Sequence, residues 1–391
     1  MIAVLADDLT GASELGGLAL RYNLRVEVTT GTDLNTQADV LIIAADTRSM
    51  NEQQAIAKVD RLTRDLLALK PTLIFKKIDS ILRGHVLAEI KSQLKAMNLK
   101  KALLIPANPT LHRTIANGMY FFHGRPIHES SFSYDPEFPI KSSAIRDMLR
   151  AGSQTIHVVK LGQAIPSEGI TVGEVEDNQD LKAWATVVDK ETTLIAGASG
   201  FFLAWLDTIS LPTHNLSVYN HSQGHPVLLV SGTTFSKSHL FIKNNMALVN
   251  YMPNEIMDSE NPSEEQYEQW ATAICATLSQ HRKAIIAINP ESTISQKRLS
   301  PQDLRQKTAY VVKKVFHRTM IPELVLEGGS TAAAVLSELK ISRFHPTAEM
   351  APGVVRMHVD PRCIPAGMTS NLNITFKPGS YDWPTGTWAF H

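Results

Sequence analysis

One stretch of the sequence decides the fold, because a short apolar run in it leads through two adjacent carboxylates into residues with helical spacing. The stretch reads Met1-Ile2-Ala3-Val4-Leu5-Ala6-Asp7-Asp8-Leu9-Thr10-Gly11-Ala12. A short apolar run bounded by polar residues predicts a buried strand, and Asp or Thr ahead of a periodic apolar segment is typical of a helix start. We therefore expect a strand at Ile2–Ala6, the acid pair at its carboxyl end, and a helix after it.

The same alternation continues over the first hundred residues. Further strands are predicted at Val40–Ala44, Leu73–Phe75 and Ala102–Ile105, and helices at Leu15–Tyr22, Gln53–Leu69 and Val86–Met97. Strands that alternate with helices predict a parallel sheet with helices on both faces. Turn signals with Pro and Gly interrupt this pattern over residues 106–139, where Met119–Phe122 is a candidate arm of a β-hairpin.

The length of 391 residues favours two domains over one. Residues 208–226 are rich in Ser, Asn, Pro and His and lack periodicity, and a second α/β alternation follows them. In that second part, strands are predicted at Val227–Val230, Ala284–Ile288 and Leu324–Leu326. We therefore predict an α/β protein with a parallel-sheet domain at 1–207, a linker at 208–226 and a second α/β domain at 227–391.

The composition is that of an ordinary globular protein, with 43% hydrophobic and 19% charged residues. Lys+Arg and Asp+Glu are equal at 38 each, which argues against nucleic acid or an anionic membrane as the main partner. No apolar run approaches the roughly 18–20 residues that cross a bilayer, and the apolar start meets Asp7 without a basic leader, as in a strand rather than a signal peptide. Cys275 and Cys363 each stand alone, which disfavours disulfides or structural zinc. We expect a soluble, cytoplasmic protein.

Polar clusters follow the first three predicted strands. They are Asp7-Asp8, Asp46-Thr47-Arg48, and the run Lys76-Lys77-Ile78-Asp79-Ser80-Ile81-Leu82-Arg83-Gly84-His85. Ligands of an open α/β sheet bind outside the carboxyl ends of the strands, so the three clusters are expected to share one site. That site would be a basic pocket around an acid pair, suited to a polyhydroxylated carboxylate.

Each cluster also has a plainer interpretation. One Asp of the pair can cap the following helix, but two adjacent acids leave one to spare, and their like charges raise the pKa of at least one. Arg48 is either a surface residue paired with an acid or a bidentate clamp for a substrate carboxylate. The run that ends at His85 is either a solvated charge run or part of the pocket.

The second domain contains several glycine-rich turns, two of which directly follow predicted strands. They include Ser231-Gly232-Thr233, Gly328-Gly329-Ser330-Thr331, Glu349-Met350-Ala351-Pro352-Gly353 and Lys377-Pro378-Gly379-Ser380. Glycine permits close backbone approach, and a helix start presents free N–H groups to phosphate, although any helix start can look like this. Neither a P-loop motif nor a dinucleotide-binding G-x-G-x-x-G is present.

These motifs, together with Leu5–Ala12 and Lys77-Ile78-Asp79-Ser80 with Arg83-Gly84, make the chain similar to the four-carbon acid sugar kinases over nearly its whole length. Those bacterial enzymes phosphorylate threonate, erythronate or their oxidised forms with ATP and Mg²⁺. The resemblance implies acid-sugar contacts by Asp8, Arg48, Lys77, Ile78, Asp79, Ser80 and Arg83. It implies an ATP site at Ser236, Gly328, Gly329, Ser330, Thr331, Gly353 and Gly379. Ser330 stands where many members carry an acid, and Ile81 where Thr is common.

The resemblance predicts transfer of a phosphoryl group from ATP to the 4-hydroxyl of D-threonate or D-erythronate. Arg48 and Lys77 would hold the substrate carboxylate, and Asp8 or Asp79 would accept the hydroxyl proton. Alternatives are a 3-oxo-tetronate kinase, a phospho-sugar-acid dehydrogenase or isomerase, and a non-catalytic sensor of sugar acid and nucleotide. The metal ligands are not assigned. A homodimer is a further possibility.

Overall fold

The computed structural model describes residues 1–135, 137–152, 155–209, 225–233, 236–289 and 300–383. The chain divides into two compact units, Met1–His214 and Asn215–His391. The predicted linker at 208–226 lies mostly outside the described residues, so its two boundaries stay predictions. None of the described helices is both long and apolar enough to span a bilayer.

The elements of the N-terminal unit alternate as predicted. The strands are β1 (Ile2–Ala6), β2 (Val26–Thr29), β3 (Val40–Ala44), β4 (Leu73–Lys77), β5 (Lys101–Ile105), β6 (Arg113–Ala116), β7 (Met119–Phe122), β8 (Arg125–Pro126), β9 (Ile156–Val159), β10 (Gly169–Gly173) and β11 (Thr193–Gly197). The helices are α1 (Leu9–Leu20), α2 (Glu52–Ala68), α3 (Val86–Met97), α4 (Ile145–Met148), α5 (Asn178–Val187) and α6 (Ser199–Thr208).

The main sheet of this unit has the strand order β2-β3-β1-β4-β11-β5-β10-β9, and every neighbouring pair is parallel. Ala6 of β1 is in register with Ala44 of β3 and Lys77 of β4. The three strands therefore end side by side, and the residues that follow them lie at one edge of the sheet. All residues of β1, β3 and β4 are buried, as expected for strands covered on both faces.

Local sequence explains where the helices begin. Asp8 caps α1, which starts at Leu9 and not at the predicted Leu15, because the Asp8 carboxylate accepts the Gly11 N–H. Asn51 caps α2 in the same way, and the apolar stripe of α2 packs on the sheet core.

The sequence pattern predicted one strand of the hairpin but missed strand β2. The hairpin arm Met119–Phe122 is confirmed, since β7 pairs antiparallel with β6 and β8. Strand β2 was not predicted, because its Glu27 breaks the apolar run although the side chain is only 4% exposed.

The C-terminal unit is also α/β. Its strands are β12 (Val227–Ser231), β13 (Val249–Tyr251), β14 (Lys283–Ala287), β15 (Glu323–Glu327), β16 (Arg343–Ala351), β17 (Val354–Val359) and β18 (Asn373–Lys377). Its helices are α7 (Ser236–Asn244), α8 (Asn254–Met257), α9 (Glu264–His281), α10 (Pro301–Arg318) and α11 (Gly329–Leu339).

The strands of this unit run in the order β13-β14-β12-β15-β18-β17-β16. The first five are parallel, whereas β17 is antiparallel to both β18 and β16. The register aligns Ser231, Glu327 and Lys377 in one row across β12, β15 and β18. The turns that follow these three strands therefore start from the same edge.

Gly197, at the carboxyl end of β11, is a position where the fold leaves no room for a side chain. A Cβ there would lie 2.6 Å from the Ile105 carbonyl oxygen and 2.8 Å from the Phe201 ring. The Gly197 carbonyl accepts the N–H of Ile78, at the start of the predicted substrate loop. We expect Gly197→Ala to lower the free energy of unfolding by about 1–3 kcal/mol through overpacking, measured by urea denaturation.

Gly200→Ala in α6 is the matched control, because its new Cβ would first meet the flexible end of Leu181 at 3.1 Å. It should change stability less than Gly197→Ala. Equal stability of Gly197→Ala and the wild type would contradict the packing argument.

Candidate functional site

The acid pair at the end of β1 is buried, and its two carboxylates differ. Asp8 accepts from the Gly11 N–H at 2.8 Å and from the Thr10 hydroxyl at 2.7 Å. Asp7 accepts from Arg48, but its second oxygen, Oδ1, is buried without a hydrogen-bond partner. Asp8 is therefore the cap of helix α1, and Asp7 is the acid that is not needed for capping.

The two pKa values move apart. Burial, with a smaller contribution from the Asp8 charge, raises the pKa of Asp7 to about 6 against the opposing effect of Arg48. Burial acts on Asp8 in the same direction, but Arg48, Lys77 and the hydrogen bonds within its cap outweigh it and lower the Asp8 pKa. Two adjacent carboxylates with separated pKa values are an arrangement that enzymes use for proton transfer.

Arg48 connects the three strand ends. Its guanidinium contacts Asp7 and Asp8, each at 2.8 Å, and lies 3.6 Å from Asp79. The side chain is 14% exposed. The Arg48 N–H also donates to the Asp7 carbonyl at 3.4 Å, so main chain and side chain both tie β3 to β1.

The loop after β4 is closed by a bidentate ion pair. Asp79 accepts from Arg83 Nε at 2.8 Å and from Arg83 Nη2 at 2.9 Å, and Arg83 also reaches Asp135 at 2.9 Å. Burial would raise the Asp79 pKa, but Arg83, Arg48 and these hydrogen bonds lower it well below its usual range. Asp79 is therefore a weak proton acceptor whose oxygens are already occupied.

Lys77 lies beside Asp8 because Gly11 lacks a side chain. A Cβ on Gly11 would come within 2.7 Å of Asp8 Oδ1 and 2.9 Å of Lys77 Nζ. Lys77 donates to the Ile78 carbonyl at 3.0 Å and lies 3.9 Å from Glu14. The Ile78 side chain itself is buried in the core, so its backbone carries any role in the site.

Strained backbone conformations occur in the same loops. Leu82 has φ +64°, in the left-handed region that bulky residues avoid, whereas Asp46 at φ +50° is of a residue type that tolerates this region. Gly84, at φ +85°, lies against Arg48, whose Cγ would be 3.1 Å from an added Cβ. Strain of this kind persists where the surrounding structure fixes a functional geometry.

The predicted substrate residues therefore meet in one network, which contains the side chains of Asp8, Arg48, Lys77, Asp79 and Arg83. The network is less basic than the sequence suggested, because Arg48 is paired with three acids and Arg83 with two. The neighbouring Lys76 forms a buried ion pair of 2.6 Å with Glu89.

Ser80 is joined to the hairpin by two residues that sequence reasoning missed. Arg113 donates to the Ser80 hydroxyl at 2.5 Å, and Tyr120 donates to the Ser80 carbonyl at 2.5 Å. Both are buried, and no motif marks either of them.

In the C-terminal unit, the row across β12, β15 and β18 is a buried ion pair with two serines. Glu327 accepts from Lys377 at 2.7 Å, from Ser231 at 2.6 Å and from Ser238 at 2.5 Å. Glu327 and Lys377 are fully buried. A charged residue that ends an apolar strand, as in Leu324-Val325-Leu326-Glu327, was the signal that could have identified this pair.

Five of the predicted ATP residues, Gly328, Gly329, Ser330, Thr331 and Gly379, lie just after the strands that carry this row. Gly328 has φ +94° and caps α11, so Gly329, Ser330 and Thr331 supply the first N–H groups of that helix. Gly379 follows β18, whose Lys377 carbonyl accepts the Gly328 N–H.

Two glycines allow neighbouring turns to pack closely in the C-terminal unit. A Cβ on Gly353 would come within 2.3 Å of Tyr381. A Cβ on Gly232 would come within 1.8 Å of the Thr331 hydroxyl. Ser236 begins α7, and its side chain lies outside the described residues.

In sites that transfer phosphoryl groups, Mg²⁺ is usually bound by one or two carboxylates together with waters and substrate phosphates. Glu327 is bound to Lys377, and Asp8 and Asp79 each contact an arginine. Over the described ranges, no group of three or more His, Cys, Asp or Glu side chains is arranged to hold a metal ion. The described carboxylates therefore do not fit a Mg²⁺ ion held by the protein alone.

Fold and site together define a two-domain α/β protein with an acid-pair site in one unit and glycine turns in the other. Family models match both parts, a "sugar-binding N-terminal domain" over residues 2–205 and a "nucleotide-binding C-terminal domain" over residues 234–381. The chain belongs to the four-carbon acid sugar kinase family.

Three relatives illustrate the range of named substrates. A D-threonate kinase of Salmonella typhimurium is 27% identical, with 96% of this chain and 92% of the relative covered. A D-erythronate kinase of Heliobacterium modesticaldum is 26% identical over 59% of this chain and 57% of the relative. A 3-oxo-tetronate kinase of Haemophilus influenzae is 22% identical over 90% and 92%.

Solved structures share the fold. A Salmonella typhimurium protein described as a tRNA synthase has a TM-score of 0.76 at 17% identity, with 97% of this chain and 96% of that chain covered. The Haemophilus influenzae protein HI1011 has a TM-score of 0.69 at 20% identity, with 98% and 97% covered. Both likenesses concern the fold alone.

We expect Lys377→Met to lower the free energy of unfolding by about 3–5 kcal/mol, because it leaves the buried Glu327 charge without its cation. Lys313→Met is the matched control, since the Lys313–Glu338 pair is about one-third exposed on each side and its loss should cost about 1 kcal/mol or less. Urea denaturation measures both. Similar losses in the two variants would contradict the argument that burial makes Lys377 essential.

Proposed function

We propose that this protein is an ATP-dependent kinase that phosphorylates the 4-hydroxyl of a four-carbon sugar acid of the D-threonate or D-erythronate type. The observation that carries the proposal is the buried acid pair, in which Asp7 Oδ1 has no hydrogen-bond partner, in a chain of this kinase family. The full-length similarity to a D-threonate kinase supports the acceptor class. Cytoplasmic location, a homodimer and Mg²⁺ stay predictions.

Asp7 is the proton acceptor that the geometry favours. Its Oδ1 has no hydrogen-bond partner, and its pKa of about 6 leaves it largely ionised at neutral pH yet basic enough to take a proton. Asp8 and Asp79, the acceptors predicted from sequence, have lowered pKa values and occupied oxygens. We therefore assign Asp8 to positioning the helix start and Asp79 to fixing the loop.

Arg48 and Lys77 have different roles in this proposal. Arg48 already donates to Asp7 and Asp8, which supports a role in holding the acid pair in place more than the predicted clamp on the substrate carboxylate. Lys77 lies at Asp8 and supplies positive charge where the acceptor hydroxyl would lie. Phosphoryl transfer depends mainly on such positioning and charge neutralisation.

We assign ATP binding to the C-terminal unit. The first N–H groups of α11, at Gly329, Ser330 and Thr331, are suited to phosphate oxygens, and the helix dipole favours the same charge. The buried row of Glu327 and Lys377 holds the starts of the neighbouring turns in register.

The proposal is tested by a coupled assay of ADP release over D- and L-threonate, D- and L-erythronate and their 3-oxo forms. We expect turnover with a D-threonate or D-erythronate type acid and at least tenfold lower kcat/KM with the 3-oxo forms. Preference for a 3-oxo acid would make the protein a 3-oxo-tetronate kinase, which relatives with that name also support. Tight binding of acid and ATP without turnover would support a sensor.

The role of Asp7 predicts a pH dependence. The carboxylate accepts a proton only when ionised, so kcat/KM should fall as the pH falls through about 6 and be constant well above it. Asp7→Asn should lower kcat by about 100-fold or more and abolish this acid limb, with KM for ATP little changed.

Asp8→Asn is the comparison, because it removes a neighbouring charge and leaves Asp7 in place. A larger loss of kcat in Asp8→Asn than in Asp7→Asn would transfer the acceptor role to Asp8. An unchanged acid limb in Asp7→Asn would exclude Asp7 as the titrating group.

A further inference from the structure

We infer that Arg113 binds the carboxylate of the acid substrate and sets the preference for an acid over a neutral sugar. The inference rests on the proposed function and names a binding residue that lies outside the three strand-end clusters. Arg113 is the first residue of β6, in the hairpin, and reaches the site through Ser80.

Most cations around the acid pair already have carboxylate partners. Arg48 is committed to Asp7 and Asp8, and Arg83 to Asp79 and Asp135. Lys76 is paired with Glu89, and Lys77 lies beside Asp8 and 3.9 Å from Glu14. An acid ligand at this network would meet cations that are already neutralised, so its charge needs a cation without a carboxylate partner.

Arg113 is such a cation. It makes no ion pair with any carboxylate of the described residues, and the whole residue is only 6% exposed. Its Nη1 donates to the Ser80 hydroxyl, and its Nε is buried without a hydrogen-bond partner. A buried guanidinium without an anion is unfavourable, and a bound carboxylate would satisfy both its charge and its free N–H.

The surroundings of Arg113 fit a small polar ligand. Asn108, paired with Arg113 in an isolated antiparallel bridge, carries a buried Oδ1 that also lacks a hydrogen-bond partner. Phe132 lies against the guanidinium, with 5.4 Å from Cζ to the ring centre, a distance that allows a cation–π contact. Buried donor and acceptor atoms on two paired residues would serve the carboxylate and an adjacent hydroxyl of one sugar acid.

The experiment compares each acid substrate with its primary amide, which keeps the shape and removes the charge. The wild type should prefer the acid by a large factor in kcat/KM. Arg113→Gln should raise KM for the acid about 100-fold, with KM for ATP unchanged, and bring the acid-to-amide ratio close to one. Arg113→Lys should recover part of the ratio, because it restores charge without the bidentate fork.

Arg125→Gln is the matched control, since Arg125 is exposed in the same three-stranded sheet and should leave the ratio unchanged. Equal losses for acid and amide in Arg113→Gln would mean a structural role and overturn the inference, while the kinase activity of the wild type would still support the proposed function. If Arg113→Gln fails to fold, Arg113→Lys decides, and an unchanged ratio in that variant overturns the inference. A wild type that phosphorylates none of the acids removes the proposed function and the inference with it.

Discussion

The guanidinium of Arg48 holds the N-terminal site together, because it bridges the ends of three strands that are far apart in sequence. It contacts both carboxylates of the acid pair and lies 3.6 Å from Asp79. Burying two adjacent acids without a cation would cost several kcal/mol for each charge. The Arg48 charge offsets the cost of burying the two carboxylates, and one Asp7 oxygen still has no hydrogen-bond partner. The reactivity of the acid pair and the position of the loop after β4 both depend on this one side chain.

The C-terminal unit also has a buried ion pair at the carboxyl ends of its parallel strands. Glu327 and Lys377 end two neighbouring strands and form a fully buried ion pair. Such pairs add little net stability compared with apolar side chains, but they demand one geometry. In this unit the geometry aligns the turns that start at Gly232 and Gly328, whose N–H groups donate to the carbonyls of the row. The Glu327–Lys377 pair therefore fixes the backbone positions from which these turns start.

Sequence patterns predicted the parts of the fold that obey local rules. Strands β1, β3 and β4 are almost continuous apolar runs because helices cover both faces of a parallel sheet. The pattern failed where tertiary context overrides it. Strand β2 contains a buried glutamate, and β16 contains a proline and has bulges in its pairing with β17. Such strands carry little apolar signal of their own.

Some features of the candidate site could likewise be predicted from the sequence and others could not. Strand topology brings residues after β1, β3 and β4 to one edge, so the sequence could predict that Asp8, Arg48 and the Lys77 loop meet. The sequence could not predict which aspartate pairs with each arginine or lysine, because the pairing depends on side-chain positions to within about an ångström. Arg48 has the character of a substrate clamp in sequence, yet in the fold it is a partner of Asp7. Arg113 comes from the hairpin and belongs to no motif, so only its burial and its unmatched charge identify it.

Pairing of charges also explains how the proposed site could bind an acid substrate and still keep an aspartate that can accept a proton. A cluster of free cations would bind a carboxylate tightly, but it would also lower the pKa of every nearby aspartate and leave no useful base. Pairing Arg83 with Asp79 and Asp135 removes that excess charge from the loop. Burial can then keep the Asp7 pKa at about 6 beside an arginine. In the proposed mechanism, acid binding at Arg113 and proton transfer at Asp7 therefore have different electrostatic surroundings within one domain.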